Sequence, residues 1–135
     1  MDQIHPNASL VPLLQLQVAS DVKIKLYTND LTPGVGTVLG DFTEQGSGTG
    51  YFAITVAAAD FSLTGVSGNI GTVQASPVTF TASGGSWTLY GYYVTNTGND
   101  KLLACARFDG APITVPDGGT RVVVPIFSLQ SRYTS

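Results

Sequence analysis

Side chains able to do chemistry are few in this sequence, and their spacing is poor for most reactions. The only histidine is His5, beside Pro6, with no second histidine or cysteine near it in sequence. A metal site or a Ser-His-Asp triad built on it would need the N-terminal arm to fold over the rest of the chain. Glu44 is the only glutamate. Paired-carboxylate hydrolysis would therefore fall to aspartates, and Asp21, Asp30, Asp41, Asp60, Asp100, Asp109 and Asp117 sit mostly at expected turns and strand ends, where Asp serves as a turn former. Cys105 is the single cysteine, so no internal disulfide or cysteine-based zinc site can form. Its apolar run, Leu102 to Ala106, reads as core or interface. Asn96-Thr-Gly-Asn-Asp100 offers oxygen ligands but lacks the closing glutamate and spacing of a calcium loop. The glycines between 34 and 50 lack the Gly-Lys-Ser/Thr and strand-loop-helix context of a phosphate cradle.

What remains is aromatic. Tyr51, Trp87, Tyr90, Tyr92 and Tyr93 could line a platform for stacking. By strand alternation Tyr90 and Tyr92 share one face, while Trp87, Leu89 and Tyr93 share the other. One set belongs to the core, and the other meets a protein subunit or a glycan, since Tyr and Trp suit both.

The elements that would position these groups are strands. Asp21 to Thr28 alternates cleanly, with Val22, Ile24 and Leu26 on one face and Lys23, Lys25 and Tyr27 on a face left to water or a neighbour. Residues 29–50 form a long, glycine-rich connection that Phe42 pins to the core. Loops of this length usually bind or assemble. Strands are expected at 50–57, weakly over 62–74, at 77–82 opening with Pro77, at 113–115 and over 120–130, where Pro125 marks an edge or bulge. Trp87–Thr95 and Lys101–Phe108 read as the two arms of the central hairpin, joined by Asn96–Asp100. Pro116-Asp-Gly-Gly119 is a turn by composition.

The expected fold is an all-β antiparallel sandwich of jelly-roll or immunoglobulin-like kind over residues 21–130. An N-terminal arm covers residues 1–20 and a tail 131–135. Within the arm, Leu10, Leu13, Leu14 and Val18 fit a short helix capped by Ser9, although Leu14–Val18 also alternates like a strand. The arm lacks a basic start and a long apolar run, so neither a signal peptide nor a membrane span is expected.

Composition narrows the partners. Of 135 residues 43% are hydrophobic and only 11% charged, so Thr, Ser, Asn, Gln and Gly must cover the surface, as suits packing against other subunits. The net charge of -3 and the scattered Lys and Arg argue against a nucleic-acid partner.

The ordered series Lys23-Ile-Lys-Leu-Tyr-Thr-Asn-Asp-Leu-Thr-Pro33, Asp41-Phe-Thr-Glu44, Gly50-Tyr51, Pro77-Val-Thr-Phe-Thr81, Leu89-Tyr-Gly-Tyr-Tyr-Val94, Leu102-Leu-Ala-Cys-Ala-Arg-Phe108 and Pro116-Asp-Gly-Gly-Thr120 resembles a family of small structural proteins of tailed bacteriophages. The resemblance spans about residues 10 to 128. It implies a non-enzymatic virion component without cofactor, a capsid decoration or cement protein. Such a protein is made in the host cytoplasm, carried on the capsid surface, bound to the major capsid protein and often trimeric. The surfaces expected to meet partners are Leu10, Leu13 and Leu14 in the arm, Leu31, Pro33, Val35 and Phe42 in the long loop, and Tyr51, Tyr90 and Tyr92. A glycan-binding module of a tail or fibre is the alternative, working through the tyrosines.

Overall fold

A computed structural model describes residues 21–67 and 70–130; the expected arm, its helix and the tail lie outside them. The chain adopts the expected antiparallel all-β fold. Its strands are β1 (Val22–Tyr27), β2 (Ile54–Val56), β3 (Ser62–Ser67), β4 (Ile70–Gln74), β5 (Val78–Thr81), β6 (Trp87–Leu89), β7 (Gly91–Asn96), β8 (Leu102–Arg107), β9 (Ile113–Val115), β10 (Thr120–Val123) and β11 (Ile126–Gln130). The main sheet has the order β2-β1-β7-β8, and the rest form the sets β11-β4-β3, β10-β5 and β6-β9.

Alternation builds the core. Val22, Ile24 and Leu26 of β1, Tyr92 and Val94 of β7, and Ala104 and Ala106 of β8 are buried on one face of the main sheet. They join one apolar cluster with Phe80, Trp87, Leu89, Val115 and Val123 from β5, β6, β9 and β10, which packs these strands against the main sheet as a sandwich-like layer. The small residues of β8 let the layers approach.

The central hairpin departs from its expected form. Trp87–Thr95 is not one arm: β6 pairs with β9, β7 pairs with β1 and β8, and Tyr90 is the corner between sheets. Tyr90 keeps both main-chain bonds across the corner, donating its N–H to the Tyr27 carbonyl at 3.0 Å and accepting from the Phe108 N–H at 2.9 Å. Gly91 makes the crossing possible. A Cβ there would stand 2.2 Å from the Ala106 carbonyl oxygen and 2.6 Å from the Tyr27 ring, so only glycine fits beneath that tyrosine.

The expected last strand, 120–130, divides in the same way. β10 pairs with β5 and β11 with β4, and the break falls at Val124-Pro125, where Pro125 offers its carbonyl to the Ala75 N–H at 3.0 Å. The expected strand at 50–57 shortens to β2, because Gly50 takes φ 82° and closes a short 3-10 turn over Ser47–Thr49.

A closed loop and the surface it carries

The outer face of the main sheet, expected to meet water or a neighbour, is covered by the chain itself. Tyr27, Tyr93, Leu102 and Cys105 form a second apolar cluster there, against which Leu31, Leu39, Phe42 and Tyr90 pack. Phe42 stacks on Tyr93 with centroids 4.4 Å apart and rings 10° from parallel, and meets Tyr27 edge-on at 5.0 Å. The expectation that Phe42 pins the long loop is met, and the surface it pins to is this second core.

The loop is tied at its neck. Asn29 donates from Nδ2 to the Asp41 carbonyl at 2.8 Å and accepts at Oδ1 from the Thr43 N–H at 2.9 Å, while the Thr28 N–H donates to the Thr43 carbonyl at 2.8 Å. Residues 29–43 thus form an Ω-like loop with joined ends. Residues 43–45 then run alongside the end of β1, with the Gln45 N–H donating to the Leu26 carbonyl. Inside the loop, Gly34 and Thr37 make a turn, and the Asp41 carboxylate accepts the Val38 N–H at 3.0 Å. At its root, Arg107 donates to Asp30 at 2.6 Å and to the Leu31 carbonyl at 3.3 Å while lying over the Tyr90 ring.

Each expected interface residue now has a place. Leu31 and Phe42 are half-buried against the second core, and Pro33 is buried. Val35 stands out at 67% exposure. Tyr90 is half-buried beneath Arg107. Tyr51 and Tyr92, at 4% and 2% exposure, belong to the main core and form no surface platform; Tyr92 shares that core with Trp87 and Leu89, not with Tyr90, while Tyr93 is buried on the opposite face with Tyr90 packed against its cluster, because the corner at Tyr90 breaks the alternation expected through Trp87–Thr95. The physical reason is that this strand is covered on both sides, one by the second layer and one by the loop. Leu10, Leu13 and Leu14 lie outside the described residues, as does His5.

Exposed apolar groups that alternation had not singled out are Val38 at 50%, Phe52 at 71% and Val122 at 51%. For Phe52 the signal was present, since a buried Tyr51 turns its neighbour outward. An open groove of about 390 Å³ lies beside the loop root, lined by Thr32, Pro33, Arg107, Phe108, Asp109, Gly110 and Ala111.

The carboxylates do structural work. Asp21 accepts the Ala58 N–H at 3.0 Å, and Asp117 accepts the Gly84 N–H at 2.9 Å. Glu44 divides its oxygens: Oε2 accepts the Tyr51 hydroxyl at 2.6 Å, and Oε1 lies 4.0 Å from Lys25 Nζ. The Tyr51 oxygen in turn accepts the Leu26 N–H at 3.2 Å, and burial followed by this hydrogen bond to Glu44 pushes the phenol well above its ordinary range. Burial also pushes the Cys105 thiol up to about 12. A thiol this buried and this reluctant to ionise is no nucleophile at neutral pH.

Among the described residues no three His, Cys, Asp or Glu side chains group to hold a metal ion, and no helix is long and apolar enough to cross a membrane. No family model matches the chain, and no curated protein or solved structure matches it either.

Proposed function

We propose that this chain is a non-enzymatic structural subunit of a phage virion, a decoration or cement protein that clamps major capsid subunits. The observation that carries the reading is the Ω-like loop of residues 29–43. It is tied at its neck by Asn29 and seated by Phe42, yet it turns Val35 and Val38 to solvent. Apolar groups held outward on a closed loop lose little conformational entropy when a partner covers them, which is the property an assembly contact needs. The sparse charge of the chain and the ordered motifs that resemble phage structural proteins support the same reading. Repeated around a shell, individually modest contacts add by multivalency, and a trimer would suit local three-fold positions.

The glycan-binding alternative is left with Tyr90 alone of its three tyrosines, half-buried beneath Arg107, because Tyr51 and Tyr92 are inside the fold. The test is binding of the purified chain to shells assembled without it. The double variant Val35→Asp/Val38→Asp keeps its fold, because both side chains are exposed, and loses shell binding. Unchanged binding by that variant overturns the loop as the contact.

A further inference from the structure

Among the described residues β8 ends the main sheet, pairing with β7 alone. Its main-chain groups divide between two sides. The Phe108 N–H donates to the Tyr90 carbonyl and the Ala106 carbonyl faces Gly91, so residues 106 and 108 turn toward β7 and Cys105 turns its N–H and C=O toward the far edge. An open edge leaves such residues wet, as at β2 and β10, where Thr55, Thr120 and Val122 are exposed. At β8 the opposite holds: Leu103 is 3% exposed, and Ala104, Cys105 and Ala106 are 0% exposed. A buried N–H and C=O are almost always bonded, so a hydrogen-bonding neighbour lies beyond β8. The two faces of the strand are already occupied. Leu103, Ala104 and Ala106 pack into the first core, and Leu102 and Cys105 into the second, under the Ω-like loop.

We propose that the edge of β8 is a strand-accepting surface and that its occupant is the chain's own segment around Leu14–Val18, added as a fifth, antiparallel strand. Direction fits first. Val22 lies opposite Asn96 and Leu102 opposite Thr95, so β1 and β8 start at the same end of the sheet. A segment that leads into β1 along the sheet therefore runs against β8. Reach fits as well. From β1 across β7 and β8 to one more strand is three spacings, about 14 Å, and the five steps from Gln17 to Val22 cover about 16 Å when extended. The pattern is that of an added strand: Leu14-Gln-Leu-Gln-Val18 alternates, with one apolar face for the rim of a core and one amide face. The other segments outside the described residues are poorly placed. Residues 68–69 join β3 to β4, and residues 131–135 leave β11, which belongs to the separate set β11-β4-β3. With the segment seated, β8 has no open ladder to offer a second copy, and Leu14 serves the fold instead of a partner. The inference stands apart from any role on a shell.

Cys105 is the only cysteine, so one added cysteine makes one possible disulfide within a chain. In the test, residues 13–18 of the full chain are replaced by cysteine one at a time. Each variant is refolded in a glutathione redox buffer, and its links are read by mass spectrometry of the unreduced digest. Residues opposite each other on antiparallel strands have Cα atoms about 4.5–5.5 Å apart, within reach of a disulfide. The expected result is a link to Cys105 within one chain at every second position, either 14 and 16 or 15 and 17, with the intervening set at least about tenfold less linked. Links three or four positions apart, without one between, mark a helix and overturn the strand. Links found only between two chains assign the edge to a second copy and overturn the proposal, as does the absence of any link in folded variants. The unaltered chain supplies a second test by hydrogen exchange. The Cys105 amide should exchange as slowly as those of Tyr92 and Val94 in the ladder; exchange as fast as at exposed Thr55 overturns the proposal.

Discussion

Replacing Phe42 by alanine isolates the contact that seats the Ω-like loop on the main sheet. The ring stacks on Tyr93 at 4.4 Å and meets Tyr27 edge-on at 5.0 Å, but it is only half-buried. Full burial would put Phe→Ala at about 3–5 kcal/mol. Partial exposure lowers the burial part to about 1.5–2 kcal/mol, and the two ring pairs return roughly 1 kcal/mol. The expected loss is thus about 2–3 kcal/mol, or roughly 6–12 °C in Tm for a chain of this size. Urea denaturation measures the loss, and hydrogen exchange of residues 29–43 locates it. The loop amides should exchange faster while those of β7 and β8 keep most of their protection, because the loop opens below the global barrier. A loss under about 0.5 kcal/mol, within the range of ordinary surface changes, together with unaltered loop exchange, would refute the claim that Phe42 seats the loop.

Other consequences follow from single contacts. Gly91→Ala would place a methyl 2.2 Å from the Ala106 carbonyl, in backbone that cannot yield without unpairing β7 from β8, so a loss of about 3 kcal/mol or more is expected in chemical denaturation. Tyr51→Phe strips the Leu26 N–H and Glu44 of one shared partner and should cost about 1–3 kcal/mol by the same measurement. The Cys105 thiol should resist thiol reagents at neutral pH until the protein is unfolded, which a labelling time course in and out of denaturant would read. Alkali should destabilise the fold. Burial pushes the Cys105 thiol from 9.0 up to about 12 and raises Tyr27, Tyr51 and Tyr93 in the same direction. The folded state therefore holds protons that the unfolded chain releases. This contribution is complete below about pH 9 and is lost as pH rises toward about 12; melting temperatures that rise across this interval would contradict the assignment.

Much of the architecture could be read from residue order. The 2-residue period of Val22, Ile24 and Leu26 located β1 and its core face, and Pro116-Asp-Gly-Gly119 located a turn in which Gly118 takes φ 81° and the Gly119 N–H returns to the Pro116 carbonyl. Pro125 marked an irregularity in the expected strand 120–130, but not that the chain changes partners there, β10 pairing with β5 and β11 with β4. The corner at Tyr90 was not readable, because Trp87 to Thr95 is an unbroken run of strand-forming residues and only the space under Tyr27 singles out Gly91. Closure of the outer face was half readable. Phe42 had to anchor somewhere, but alternation in β1 left Lys25 and Tyr27 on a face for water or a neighbour, and a period of two cannot tell either from a loop of the same chain that folds back. The tyrosine platform failed for the same reason.

The central claim is that the outward loop serves a repeated contact on a shell. The most direct measurement is the copy number of this chain relative to the major capsid protein in purified particles, by quantitative mass spectrometry. A ratio near one, or a simple fraction set by local symmetry such as about one third, is the predicted result. A trace ratio would contradict shell-wide decoration.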